Sequence, residues 1–146
     1  MSKMDNEIDI ENLLKTLDND DNNSLIKLDN SKIKSIKNDL LQKLHFKKED
    51  IKILLIKLKE YRFVDELDDL HYGSYIRWFN LSDPSSLKLT NGGIICDIRI
   101  INDSVLITCK NFMNRMFCIK MDENLIFQKL NKNEKVLLKL LDYVNK

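Results

Sequence analysis

The sequence predicts an α+β fold: N-terminal helices, then a five-stranded antiparallel small β-barrel, then a C-terminal helix. Three observations support this architecture. Apolar residues recur every three or four positions between residues 31 and 62, which is typical of amphipathic helices. Short apolar runs separated by turn-forming residues fill the region from Gly73 to Leu130, which is typical of antiparallel strands. Helical spacing returns between Lys132 and Val144, in a helix suited to cover one open end of the barrel.

Charge divides the 146 residues into blocks that follow the same organisation. Residues 1–30 carry eight acids and three lysines, and residues 31–62 carry ten bases and four acids. Residues 63–70 carry four acids and no base. We therefore expect an acidic N-terminal segment with a short helix (1–30), a helical unit (31–70), and a small β-barrel with the C-terminal helix (71–146).

Two helices joined by a short link are expected in the helical unit. Asp29, Asn30 or Ser31 can cap the first helix, because their side chains accept hydrogen bonds from the first turn. Its apolar stripe consists of Ile33, Ile36, Leu40, Leu41 and Leu44. The second helix begins near Lys48, and its stripe consists of Ile51, Leu54, Leu55, Leu58 and Tyr61. A short stripe in the N-terminal segment consists of Ile8, Ile10, Leu13, Leu14 and Leu17.

The register of one β-hairpin follows from the sequence. Asn102 and Asp103 lie between two apolar runs and suit a two-residue hairpin turn. With this turn, one face of the hairpin consists only of apolar and thiol side chains and faces the core. The pairs on that face are Ile100 with Val105, Ile98 with Ile107, and Cys96 with Cys109. A shift by one residue would mix the two faces, so the pattern selects this register.

A strand from Tyr75 to Leu81 comes earlier, and Gly92-Gly93 opens the strand of the first hairpin. A second hairpin is expected around a three-residue loop, Asp122 to Asn124. It pairs Met121 with Leu125 and Ile119 with Phe127, and it leaves Cys118, Lys120 and Gln128 outside.

Apolar residues on the outer face of the first hairpin predict a protein-interaction surface. Ile95, Ile101 and Leu106 fall on this face in the expected register. A row of apolar side chains is unusual for a solvated face and often marks an interface. We expect a partner protein or a second copy of the chain to bind there. The net charge of +1 favours this function, because nucleic-acid-binding domains are usually strongly basic.

Nucleic-acid binding is the alternative function. Small barrels bind single strands by stacking bases on exposed aromatic side chains in a basic groove. If Tyr75 and Phe79 face the core, Ile76 and Trp78 are exposed on the other face of their strand. The basic residues expected near Trp78 are Arg77, Arg99, Lys110 and Arg115. The competing interpretation is that Trp78 packs under the C-terminal helix.

A second basic surface lies in the helical unit. Lys47, Lys48 and Lys52 fall at the link and on the second helix, in an arrangement that loosely resembles a helix-turn-helix. Such lysines can contact phosphates without sequence preference. The competing interpretation is that they only keep this face of the helix solvated.

No short motif predicts catalysis, a metal site or a cofactor. The chain contains no G-x-S-x-G, P-loop or H-E-x-x-H sequence, and we expect a protein that is not an enzyme. Residues 18–29 match part of a twelve-residue calcium loop, but Asn23 replaces its glycine and Asp29 replaces its bidentate glutamate. A solvated linker is the favoured interpretation of this stretch.

The cellular location follows from cysteine usage and hydropathy. The three cysteines are odd in number and lack C-x-x-C spacing, which is typical of free, buried thiols in a reducing compartment. The sequence shows neither a signal peptide nor an apolar run long enough for a membrane span. We therefore expect a soluble, intracellular protein, cytoplasmic or nuclear, with no membrane partner.

Two resemblances accompany this interpretation. The expected order of strands resembles SH3-like and Sm-like small barrels at the level of architecture. The stretch Leu70 to Trp78 (LHYGSYIRW), in a chain rich in Lys, Asn and Ile, resembles uncharacterised proteins of large DNA viruses that infect protists. This resemblance implies a viral protein acting inside a host cell and transfers no residue roles.

Overall fold

The structure, a computed structural model, describes residues 29–144. Its helices and strands are α1 (Asn30–Lys43), α2 (Lys48–Lys57), β1 (Tyr61–Val64), β2 (Tyr75–Asn80), β3 (Gly93–Ile101), β4 (Ser104–Lys110), β5 (Met116–Lys120), β6 (Asn124–Lys129) and α3 (Lys132–Val144). The strands form one antiparallel sheet in the order β1-β6-β2-β3-β4-β5. The predicted α+β class is confirmed. The sheet has six strands rather than five, and it is open at β1 and β5 instead of closing into a barrel.

Helix α1 begins as expected, whereas α2 is shorter than expected. Asp29 caps α1, and its Oδ1 accepts a hydrogen bond from the Lys32 backbone N–H at 2.8 Å. Helix α2 ends at Lys57, and Tyr61 already lies in β1. The prediction that the helical stripe reaches Tyr61 is therefore wrong. Aromatic and β-branched residues such as those of β1 favour a strand, which here pairs with β6.

The helices cover one face of the sheet. Phe79 of β2 and Phe127 of β6 pack edge to face, with ring centroids 6.0 Å apart. They form a core with Leu41 of α1, Ile51 of α2 and the adjoining Leu58. The helical layer therefore lies over the half of the sheet formed by β1, β6 and β2.

Trp78 belongs to a second core on the opposite face. Successive strand residues point to opposite sides, so Ile76 and Trp78 point away from Phe79. Trp78 is 7% exposed and Ile76 is fully buried. The predicted exposure of both residues is wrong. The place predicted for Trp78 under the C-terminal helix is also wrong, because the core around it contains Val64, Leu70, Ile76, Ile95, Ile107, Cys109 and Ile126.

The hairpin of β3 and β4 confirms the predicted turn and most of the predicted register. Asn102 and Asp103 both have positive φ, which two-residue hairpin turns of this kind require. The pairs Ile100 with Val105 and Ile98 with Ile107 form as predicted, and the same register pairs Arg99 with Leu106 and Asp97 with Thr108.

A β-bulge at Cys96 overturns the remaining pair. Ile95, not Cys96, lies opposite Cys109. An extra residue in a strand reverses which of the preceding side chains point to the core and which point to the surface. Ile95 is therefore 1% exposed, and Cys96 lies on the surface. Burying isoleucine removes more apolar area from water than burying cysteine. The predicted place of Ile95 on the outer face is therefore wrong, as is the predicted core position of Cys96.

The predicted second hairpin does not form. β5 pairs with β4, while β6 leaves the turn at Met121–Glu123 and inserts between β1 and β2. Gln128, predicted to lie outside, is buried in this central strand. Its Oε1 accepts a hydrogen bond from the His71 N–H at 2.9 Å, and its Nε2 donates to the Asp69 carbonyl at 2.7 Å. These two bonds tie the connection before β2 to the sheet.

A buried charge cluster joins β1 to α3. Asn131 and Glu134 form a capping box at the start of α3, with reciprocal bonds of 3.0 and 2.8 Å. The second carboxylate oxygen of Glu134 lies 3.4 Å from Arg62 Nε, and Asp69 Oδ1 lies 3.9 Å from Arg62 Nη2. All three charged residues are buried.

The C-terminal helix has the predicted bounds, but it packs against α1 instead of covering the open end of a barrel. Leu137 and Leu138 of α3 form a small core with Ile33 of α1 and Leu130. No helix within residues 29–144 is long and apolar enough to cross a membrane. The predicted N-terminal helix and, apart from Asp29, the calcium-loop match lie outside the described residues.

We expect a thiol reagent to label two of the three cysteines rapidly in the folded protein. Cys96 and Cys118 are exposed. Burial raises the pKa of Cys109 to about 12, with smaller contributions from the other two thiols, so its reactive thiolate is scarce. Mass spectrometry after iodoacetamide treatment, with and without denaturant, measures this. Protection of Cys96 equal to that of Cys109 would contradict the bulge.

The variant Arg62→Met should lose about 3–5 kcal/mol of unfolding free energy, because it leaves two buried carboxylates without their cation. Urea unfolding measures the loss. Arg99→Met is the matched control, since Arg99 pairs with Asp97 at 2.6 Å on the surface. Exposed pairs contribute little. Equal losses in the two variants would show that the buried cluster does not stabilise the fold.

Candidate functional site

The predicted protein-binding residues separate in the structure. Ile95 is in the core, whereas Ile101 is exposed and Leu106 is half-buried on the outer face of the hairpin. That face also carries the exposed Ile94 and Met116, which the strand register places on either side of Lys110. The apolar surface is therefore more extensive toward β5 than near Ile101.

Four large apolar side chains cluster in sequence at the turn between β4 and β5. Phe112, Met113, Met116 and Phe117 are 75%, 58%, 56% and 45% exposed. We call these four residues the edge patch. The strand register places Met116, opposite Lys110, and Phe117, opposite Cys109, on opposite faces of β5, so apolar side chains flank this strand on both sides. Exposed apolar side chains grouped at one edge often mark interaction surfaces.

The turn that presents the edge patch is fixed by Asn111. Its Oδ1 accepts hydrogen bonds from the N–H groups of Met113 and Arg115, both at 2.9 Å. Its own N–H donates to the Arg115 carbonyl at 3.0 Å, and Asn114 has the positive φ of such turns. Phe112 and Met113 are therefore exposed by a hydrogen-bonded turn.

β5 is an edge strand with open backbone groups. Within the described residues it pairs with β4 alone. Antiparallel pairs alternate between those that exchange hydrogen bonds and those that do not. The Asn111 N–H donates to the Arg115 carbonyl, so Asn111 and Arg115 form a hydrogen-bonded pair. Two residues further along each strand, Cys109 and Phe117 therefore also form a hydrogen-bonded pair. The N–H and carbonyl groups of Met116 and Cys118 therefore face the open edge, whereas the Lys120 carbonyl accepts a hydrogen bond from Asn124 Nδ2 at 2.8 Å.

A cleft of about 420 Å³ runs beside this strand. One wall consists of Asn111, Phe112, Phe117, Cys118 and Ile119, and the other of Trp78, Asn80, Thr90, Asn91 and Gly92. Among the described residues, the lining of the cleft includes one thiol, that of Cys118, and no histidine, carboxylate or amine. Its amide, hydroxyl and aromatic side chains can supply hydrogen bonds and apolar contacts to a bound molecule.

The wall opposite β5 is held by β2. The Thr90 N–H donates to the Trp78 carbonyl at 3.0 Å, and Arg77 Nε donates to the Thr90 carbonyl at 2.8 Å. Gly92 has φ +82°, and a Cβ there would collide with the Ile76 carbonyl oxygen. Only glycine fits this close approach. The cleft is thus bounded by two segments fixed to the sheet.

The predicted nucleic-acid-binding residues are only partly brought together. Trp78 lines the cleft with its side chain mostly buried, Arg77 supports the wall, and Lys110 and Arg115 flank Asn111 in sequence. Arg99 instead pairs with Asp97. Lys47, Lys48 and Lys52 lie at or in α2, away from the cleft.

A lysine-lined groove lies between α1 and α2. Its volume is about 570 Å³, and its lining consists of Asn30, Ile33, Lys34, Lys37, Lys52, Leu55, Ile56, Lys59 and Leu130. Lys37 is 4% exposed, and its Nζ donates to the Leu58 carbonyl at 2.8 Å. Burial, with a smaller contribution from Lys34, lowers the pKa of Lys37 from 10.5 to about 8. Its ammonium group stabilises the C-terminal end of α2.

Sequence reasoning missed the edge patch. A signal for it existed in Asn111-Phe112-Met113-Asn114, where two large apolar residues stand between asparagines typical of a turn. Apolar residues at a tight turn cannot both enter a core, so exposure is the expected result.

Comparisons with protein-family models, curated proteins and solved structures give no match. Function is therefore inferred from the geometry of the chain itself.

Stability should rise with pH through the titration of Lys37. Between pH 8 and 10.5 the folded chain loses this proton before the unfolded chain does. The unfolded state then binds more protons, and the unfolding free energy increases with pH. Lys37→Met removes this contribution. Urea unfolding across the window should show the wild-type protein gaining stability relative to Lys37→Met, and a constant difference would contradict the assignment.

Proposed function

We propose that this protein is a non-enzymatic protein-interaction module that binds an extended segment of a partner along the open edge of β5. The observation that carries the proposal is the edge strand beside four exposed apolar side chains. Soluble proteins usually protect such edges by covering them or charging them. An open edge with apolar flanks is the arrangement that strand addition uses, since backbone bonds give affinity and side-chain contacts give specificity.

The charges at this edge indicate the chemistry of the partner. Lys110 and Arg115 form no salt bridge within residues 29–144, and Lys120 lies 3.8 Å from Glu123 on the surface. A partner strand that alternates apolar and acidic residues complements this edge. A second copy of β5 would instead bring two sets of basic side chains together.

The edge patch is large enough to supply measurable affinity. Full burial of one phenylalanine or methionine side chain contributes about 1.5–3 kcal/mol. Binding must also offset the ordering of an extended segment, which costs several kcal/mol. Four partly exposed side chains, aided by backbone bonds, therefore favour a reversible complex over a permanent one.

Single-stranded nucleic acid is the second candidate. The cleft places Phe112 and Phe117 beside Asn80, Asn91 and Asn111, which are side chains suited to stack on bases and to bond their edges. The buried position of Trp78 argues against this candidate, because stacking requires an exposed ring face.

Strand addition predicts that Cys118→Pro abolishes peptide binding while Cys118→Ser retains it. Proline removes the outward N–H of Cys118 without removing a bond between β4 and β5, and it is tolerated at such edge positions. The probe is a displayed library of random peptides about ten residues long, the length of a long strand. Selected peptides should alternate apolar and acidic residues, and Cys118→Pro should bind them at least about tenfold more weakly.

Two results would refute the proposal. One is peptide binding that Cys118→Pro leaves unchanged. The other is tight, salt-dependent binding of a single-stranded oligonucleotide that Lys110→Ala and Arg115→Ala weaken and Cys118→Pro does not, which would favour the nucleic-acid candidate.

A further inference from the structure

The groove between α1 and α2 is about two helical turns long. Residues from Asn30 to Lys37 of α1 line one side, and Lys52, Leu55 and Ile56 of α2 line the other together with Lys59, which follows α2. Eight helical residues span about 11 Å. Ile56, in the wall of the groove, is 74% exposed. The groove therefore has the length and the apolar wall that a short amphipathic helix needs.

Among the described residues that line this groove, the charged ones are all lysines. Lys34, Lys52 and Lys59 are exposed along its sides, and Lys37 is buried in it. Within the described part of the chain, none of the three exposed lysines forms a salt bridge. An acidic occupant would reduce the repulsion among these four amines.

The part of the chain that precedes the described residues has the complementary chemistry. Residues 1–28 contain seven acids and three lysines. Their predicted helical stripe includes Ile10, Leu13, Leu14 and Leu17, which span two turns. Glu7 and Glu11 lie one turn apart along one flank of this stripe.

Helix α1 begins beside the groove, so the preceding residues start close to it. Asn30 is the first residue of α1 and lines the groove itself. The eleven residues from 18 to 28 can extend up to about 36 Å, which exceeds the length of the groove several times. A short tether of this kind gives an effective concentration in the millimolar range.

We propose that residues 7–17 fold back as an amphipathic helix into the groove between α1 and α2. The stripe of isoleucine and leucine residues packs against Leu55 and Ile56, and Glu7 and Glu11 face Lys52 and Lys59. The segment thereby completes the helical layer and shields the groove from other anionic ligands. This docking is independent of partner binding at β5.

Hydrogen exchange of the full-length chain tests the proposal. An isolated helix of about ten residues is marginal in water, so protection of residues 10–17 reports docking. We expect their amides to exchange at least about tenfold more slowly in the wild-type protein than in Ile56→Asp. The matched control is Ile53→Asp, which places the same charge at an exposed site of α2 outside the groove and should leave this protection unchanged.

Charge reversal supplies a second, independent measurement. Lys52→Glu with Lys59→Glu should release the segment, and adding Glu7→Lys with Glu11→Lys should restore its protection. Exchange of residues 10–17 in the wild-type protein as fast as in Ile56→Asp would overturn the proposal. Protection that increases with protein concentration would also overturn it, because the occupant would then be the segment of a second copy.

Discussion

The architecture depends on the buried guanidinium of Arg62. This side chain is 3% exposed and lies between Glu134 of α3 and Asp69 of the connection before β2. A charge cannot remain buried without compensation, so β1 can occupy its edge of the sheet only when both carboxylates surround it. Glu134 also closes the capping box of α3 with Asn131. One ionic cluster therefore sets the position of β1, the first turn of α3 and the connection into β2.

This arrangement makes the two halves of the sheet unequal. Around β6, one face carries Phe127 under the helices and the other carries Ile126 in the second core, so both are buried. Among residues 29–144, no helix packs over β5 in either core cluster, and the exposed apolar residues of β5 are concentrated at the turn next to Asn111. The candidate site is thus a consequence of the fold: helices that anchor one edge leave the opposite edge open.

Features governed by nearby residues were predictable from sequence. The bounds of α3, the Asp29 cap and the turn at Asn102-Asp103 each depend on local periodicity or turn chemistry. The position of β6 depends on distant strands, although the unalternated run Leu125 to Phe127 is typical of a strand buried on both faces. The bulge at Cys96 depends on which of two neighbouring residues packs better. Because of this bulge, Ile95 lies in the core and not on the predicted interaction surface.

The near-neutral net charge is a weak guide to the class of partner. The value of +1 combines a net charge of −5 in residues 1–30 with +6 in residues 31–62, and the eleven acids of residues 63–146 balance their eleven bases. Neither of those two blocks includes β5, where Lys110 and Arg115 flank the turn. A choice between protein and nucleic acid must therefore use local geometry. The buried ring of Trp78 removes the expected stacking surface, while the open backbone of β5 offers bonds that only another extended polypeptide can match along its length.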